Sequence, residues 1–311
     1  MLSFGRKALG SLVTLWGVTL VLFALIFIVP GIGQKDPTES IAQSLAGAHA
    51  DATNLQNIKR QLGLDKSVPV RYGIFLRDAS TNNLRSYRNG DRVFSAIARR
   101  FPATMLLALT ALTVYLAIAI PLSLLTASRS GSFFDRAFLV LSMLAISIPT
   151  FWLGRLLQQY LGFELNLFSV GGSASLWNLP LPALTLGIGG AAYYSRLLHA
   201  NLRGVMRQEY IRAARARGVS EVSVLGKHAL KNALIPAIAV LGGEFASLLS
   251  GLIFTEKIFG WPGIGSLAID SVNNQDIPMI MGTVLFSALM VVSANLLVDI
   301  LYRVVDPRIR A

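Results

Sequence analysis

The sequence predicts an all-α membrane protein with six transmembrane helices, a basic cytoplasmic loop and a small extracytoplasmic cap between helices 1 and 2. Three observations carry this expectation. Of 311 residues, 53% are hydrophobic and only 14% are charged, whereas a soluble domain carries about 25% charged residues. The apolar residues gather into six runs, long enough to cross a hydrocarbon core of roughly 30 Å. The net charge is +12. The long 31–100 region is basic too, but loops longer than about 60 residues translocate largely regardless of charge. The remaining basic residues fall in alternate connections between the runs, as lysine and arginine do at the inner face of a membrane. In a soluble chain the same charge would suggest nucleic acid, so position along the chain decides.

The first run, Leu9 to Val29, carries no charge and follows Arg6 and Lys7. A cleaved signal peptide is the rival reading, because "AHA" at 48–50 has the small-x-small form. The run is longer than the roughly 7–15 residues of a signal-peptide core, and "AHA" lies too far beyond it, so an uncleaved span is favoured. Residues 31–100 form the longest polar region. Leu55, Ile58 and Leu62 have helical spacing that breaks before Pro69, and Asn89-Gly90 marks a turn. This reads as a folded cap too poor in apolar residues to be an independent catalytic domain.

The remaining runs are Pro102 to Ala127 (containing Pro121), Ala137 to Gly162 (containing Pro149), Leu181 to Leu198, Ala233 to Phe254 and Met279 to Tyr302. Six spans put both termini on one side. The short connections 163–180 and 255–278 hold only Lys257 among basic residues. Arg129, Arg136, the cluster from Arg203 to Lys231, and Arg303, Arg308 and Arg310 all fall on the other side. That side is the cytoplasm, and both termini lie in it. The chain thus divides into 1–30, the cytoplasmic N-terminus and first helix; 31–100, the cap; and 101–311, a five-helix core containing a cytoplasmic loop at 200–231.

No cysteine is present, which excludes a disulfide, a thiol nucleophile and a Cys-ligated metal. The three histidines, His49, His199 and His228, are scattered, which argues against a histidine metal site. The loop holds the densest pattern, "EYIRAARARGVSEVSVLGKHALKNALIP" at 209–236. Leu202, Val205, Met206, Tyr210, Ala213 and Ala214 are predicted to share one helical face, and the alanines make that face thin. Gly218 suits a left-handed helix end, and Ser220 with Glu221 suits the next start. The expectation is two short helices at a fixed bend, small residues outward. A DNA-reading helix-turn-helix has the same outline, but the second helix opens Ser220, Glu221, Val222, with no Arg, Asn or Gln to reach base edges and an acidic group where DNA phosphates would approach. A merely solvated basic loop is the bland alternative.

This stretch resembles the EAA loop of ABC importer permeases, in the version of the peptide and nickel permease family. Arg212, Ala213 and Ala214 take the E-A-A places, Gly218 matches the glycine, and His228 to Lys231 replace I-x-L-P. Arg212 for glutamate and Lys231 for proline depart from the general pattern and resemble the peptide-permease subgroup. "LGLDKSVPVRY" (62–72), "RRFPATMLLAL" (99–109), "SIPTFWLG" (147–154), "LPALTLGIGGAAYYSRLL" (181–198), "EKIFGWPGIGSLAIDSV" (256–272) and "NLLVDILYRVVDPRIR" (295–310) are similar to family segments in the family's order. "PGIGQKDP" after the first span departs from the family's "PGDP". The resemblance implies a second homologous permease, two cytoplasmic ATPases that bind ATP and Mg, and an extracytoplasmic substrate-binding protein. It implies ATPase contact through Glu209, Tyr210, Arg212, Ala213, Ala214 and Gly218, and a cargo of short peptides or a related small solute, with glutathione and nickel complexes as alternatives.

The residues themselves argue against nucleotide binding by this chain. Gly226-Lys227 is followed by His228, so no phosphate-binding G-x-x-x-x-G-K-[ST] is present, and "GIGG" at 187–190 suits close helix packing better than a dinucleotide. The expectation is therefore a non-enzymatic subunit without a cofactor of its own. Glu244 lies deep in the fifth run, with Ser247 one turn on. An ionisable group there faces a cavity or a partner: either it lines a path and meets a substrate amine or cation, or it is protonated and bonds a neighbouring helix. Asn295 is a third path candidate, while Asp299 is expected to pair with Arg303. Gly263 and Gly265, after Glu256, suggest a tight loop at the path mouth, or packing alone. Two other classes remain: a secondary transporter using Glu244 for ion coupling, and a membrane-anchored DNA-binding regulator.

Overall fold

The computed structural model describes residues 2–29, 36–47 and 51–305, with side chains for all of these except 2–8, 37, 239, 246, 247, 250, 251 and 298–305. Outside this description lie "AHA", most of "PGIGQKDP", Arg308 and Arg310, and the side chains of Arg6, Lys7, Ser247, Asp299 and Arg303. The described residues are mostly helical, and their one β feature is an isolated bridge between Arg85 and Arg92.

The chain divides into two compact units, 1–102 with 263–292 and 103–262 with 293–311. The first holds α1 (Leu2–Phe27), α2 (Pro37–Ala46), α3 (Ala52–Gln61), α4 (Val68–Ser80) and the start of α5 (Val93–Ser128). Asp36 caps α2 by accepting from the Thr38 amide at 2.9 Å, and its hydrogen bonds to Thr38 and Lys59 hold its carboxyl below the usual range against the cost of burial. The predicted helix around Leu55 and Ile58 is α3. It stops where Gly63 turns left-handed at φ +65°, and Pro69 sits in the first turn of α4, where a missing N–H costs nothing. Gly90, at φ +72°, makes the expected Asn-Gly turn. Phe23, Phe27, Phe75, Val93 and Ile97 form an apolar core there.

The second unit holds the rest of α5, then α6 (Phe133–Ser147), α7 (Thr150–Leu157), α8 (Pro180–Met206), α9 (Glu209–Ala216) and α10 (Leu230–Ile258). Chain order then returns to the first unit for α11 (Ile264–Asn273) and the first part of α12 (Ile277–Val305), whose end belongs to the second. The third apolar run is not one straight helix. Proline disfavours helical backbone in the residue before it, so Ile148 is extended and the chain restarts at Pro149, bending by 96° between α6 and the segment from Thr150 to Glu164.

By length and composition, Leu9–Phe27, Val93–Ser128 and Ile277–Leu297 are long and apolar enough to cross a membrane, and the bent pair makes a fourth if it is one span. "GIGG" is a packing device. A Cβ on Gly190 would sit 2.1 Å from the Tyr115 ring, and one on Gly187 would sit 2.6 Å from Val114, so α8 reaches α5 only through glycine. The tight turn after Glu256 belongs to Gly260 at φ +60°, whereas Gly263 is at φ −98° and Gly265 lies within α11. Glu256 is fully buried and accepts from Thr104 at 2.7 Å, and the Trp261 indole donates to the Ala103 carbonyl at 2.9 Å.

Candidate functional site

The 200–231 loop is built around α9. The chain leaves α8 at Met206, and Arg207 and Gln208 break the helix before Glu209, which resets the helical phase. The predicted single face therefore divides. Leu202 is buried on α8, but on α9 the inward residues are Ile211 and Ala214, both about fully buried, while Tyr210 is 37% exposed and Ala213 is exposed. Glu209 and Arg212 are exposed, and Glu209 in the first turn favours the positive helix end. The Tyr210 hydroxyl accepts from Asn232 Nδ2 at 2.6 Å, which ties α9 to the first turn of α10.

Gly218 ends α9 at φ +78°, with open space where a side chain would stand. Its constraint is conformational and not steric. The chain does not then form an independent second helix. Glu221–Ser223 is a single α turn that continues through a π-helical turn, Val224–Ala229, into α10. Arg215 clasps Glu221 across the bend with two hydrogen bonds, at 3.0 and 2.6 Å, which hold the Glu221 carboxyl below its ordinary pKa. Ser220 stands at the N-cap without a side-chain capping bond.

Ile211 and Ala214 belong to one apolar cluster with Leu198 and Leu202 on α8, Ala229 at the end of the π-helical turn, Ala233 and Ala237 on α10, and Tyr115 on α5. The small residues at 229, 233 and 237 recur every four positions and let the backbones approach closely. A displacement of α9 therefore meets packed side chains and not a compliant loop.

Glu244 is half-buried on α10 and lies within electrostatic range of Tyr115. The hydroxyls of Tyr115 and Tyr194 are buried without hydrogen-bond partners, and their rings stand 5.3 Å apart. Asn295 is exposed on α12. Ser247 lies on α10, one turn from Glu244, its side chain outside the described residues. A polar cluster that sequence reading passed over stands at the α6–α8 contact. His199 Nδ1 is 3.0 Å from Thr126 Oγ1, and Nε2 is 3.1 Å from Asp135 Oδ1, without hydrogen-bond alignment. Asp135 Oδ2 accepts from the Gly131 amide at 2.7 Å and lies 3.9 Å from Arg203. Asp135 and His199 sit on different helices, and nothing in their spacing along the chain signals this pairing.

A helical chain with apolar spans and a basic, glycine-ended helix packed against two of its long helices matches a known family model. Residues 119–311 match the binding-protein-dependent transport system inner membrane component, and residues 1–110 match the N-terminal membrane component of such systems. The chain belongs to this family. The glutathione transport system permease protein GsiC of Pectobacterium atrosepticum is 36% identical over 99% of this chain and 98% of its own length. The GsiC protein of Escherichia coli is 35% identical over 98% of this chain and 97% of its own. A solved structure of the MetNI methionine ABC transporter in an inward-facing conformation shares the fold, with TM-score 0.58 and 17% identity, over 68% of this chain and 96% of that one. The chain is thus a multi-pass inner-membrane permease subunit of an ABC importer, in the peptide and nickel permease family, and not itself an enzyme. Membership carries association with an ATPase and a substrate-binding protein.

Proposed function

We propose that this permease crosses the membrane six times with both termini in the cytoplasm, and forms its path together with a second homologous permease. Two cytoplasmic ATPases, which hold the ATP and Mg, dock on the exposed side of α9 through Glu209, Tyr210, Arg212 and Ala213. Ala214 and Gly218 fix that surface in position. The observation that carries this reading is the division of α9 into a buried face, Ile211 and Ala214, and an exposed face, Arg212 and Ala213. The buried face hands motion to the apolar cluster that reaches Tyr115. The exposed face is free to meet a partner.

The cargo under this reading is a short peptide or a peptide-like solute, glutathione included, delivered by the extracytoplasmic binding protein. The GsiC relatives support this class by name. Glu244, with Ser247 and Asn295, lines the path, where a carboxylate is suited to a substrate's ammonium group. The test is uptake by the importer reconstituted in vesicles with its ATPases and binding protein. Gly218→Val is expected to leave ATP hydrolysis running while uptake falls at least tenfold, and Gly218→Asn, which tolerates the left-handed region, is expected to retain most uptake. Equal uptake in both variants would remove the docking role. Glu244→Gln is expected to lower uptake of a free dipeptide more than that of its N-acetylated form, and equal losses would remove the amine contact.

A further inference from the structure

A concave, basic surface lies on α8, lined by residues other than those of α9. Arg196 and Arg203 stand seven residues apart on α8, and Arg207, four residues further, caps its end in helical backbone. At 3.6 residues per turn, these steps bring all three within about 40° of one another around the helix axis. With Leu139 of α6, and Tyr193 and Gly204 of α8, they line an open concavity of about 680 Å³. Retention of basic residues at the inner face asks only for charge near the helix end. It does not ask that three guanidinium groups share one wall of a groove.

These charges are poorly compensated. Arg196 and Arg207 have no ion-pair partner among the described residues. Arg203 has only Asp135, at 3.9 Å, whose Oδ2 already accepts the Gly131 amide. Beyond Leu139, α6 exposes Val140, Met143 and Leu144, each more than half accessible. One wall of the region therefore suits an anion, and the helix beside it suits hydrocarbon. A soluble anion has no use for the second feature, but an amphiphile uses both.

We infer that this groove binds the phosphodiester headgroup of an anionic phospholipid, with Arg196, Arg203 and Arg207 on the phosphate and the acyl chains along α6. That the lipid comes from the inner leaflet rests on the orientation proposed above. The binding itself does not, and lipid retention is measured without transport, so the two readings fail separately.

The full chain, purified with its partner subunits in detergent, is offered dioleoyl phosphatidylglycerol and dioleoyl phosphatidylcholine in equal amounts and examined by native mass spectrometry. Phosphatidylglycerol is expected to be retained preferentially. Arg196→Gln and Arg207→Gln are each expected to weaken retention about fivefold, the effect of one basic side chain at a membrane surface. The pair Arg60→Gln with Arg92→Gln, which removes more charge elsewhere, is expected to leave retention unchanged. Gly204 has open space over its Cα, so Gly204→Leu fills the groove with the arginines intact and is expected to abolish the preference. Four results would overturn the inference: equal retention of both lipids, no effect of Arg207→Gln and Gly204→Leu, displacement by millimolar inorganic phosphate, or a cross-link from Gly204→Cys to a partner subunit covering the groove.

Discussion

The two faces of α9 lie one residue apart in sequence and differ in every physical respect. Ala214 is packed at 1% exposure beside Ile211 at 0%, inside the cluster that joins α8, α10 and Tyr115. Ala213 stands exposed between Arg212 and the bend at Gly218. The same small residue thus serves two ends. Inward, alanine lets helices approach. Outward, it leaves a low surface that another backbone can reach. Substitution on the inner face should change stability first, and substitution on the outer face should change coupling while stability holds.

The largest effect is expected at Ile211. Ile211→Ala removes a fully buried side chain and should cost about 2–5 kcal/mol, seen as a lowered thermal unfolding midpoint in detergent. A midpoint shift no larger than that of Arg212→Ala would erase the distinction between the faces. The next effect extends the comparison to the α5–α8 contact, where a Cβ at Gly190 meets the Tyr115 ring at 2.1 Å. Gly190→Val should cost about 1–3 kcal/mol through overpacking, and pairing it with Tyr115→Ala should recover part of that loss. Additive losses in the double variant would mean that the two residues do not share the contact.

The smallest effect belongs to the outer surface of the bend. Arg215 and Glu221 are both half exposed, so Arg215→Gln should cost below about 1 kcal/mol. Because the Arg215 hydrogen bond depresses the Glu221 pKa, the contribution is present above the carboxylate's ordinary value and fades as pH falls through the folded value. Arg215→Gln and the parent should therefore converge in stability at acid pH. A difference that grows on acidification would contradict this sign.

Local constraints were the legible part of the sequence. Gly218 announced a left-handed helix end, Asn89-Gly90 a turn, and "GIGG" a helix contact, because each depends on residues adjacent in the chain. The third run reads as one span containing Pro149, and the 96° bend at that proline was not legible in it. The face predicted through Leu202, Tyr210 and Ala213 failed because periodicity assumes an unbroken helix, and two residues at 207 and 208 reset the phase. Gly263 and Gly265 drew attention away from Gly260, since only φ distinguishes a turn glycine from one at a helix start. The Asp135–His199 contact was out of reach: its partners sit on different helices, and a lone histidine carries no periodic signal.

The account turns on Ala213 as a docking surface distinct from Ala214 as packing. Its most direct test is uptake per ATP hydrolysed by the reconstituted importer carrying Ala213→Trp, with the thermal midpoint measured on the same preparation. The account predicts an unchanged midpoint, continued hydrolysis and uptake reduced at least tenfold. Unchanged uptake at full stability would contradict it.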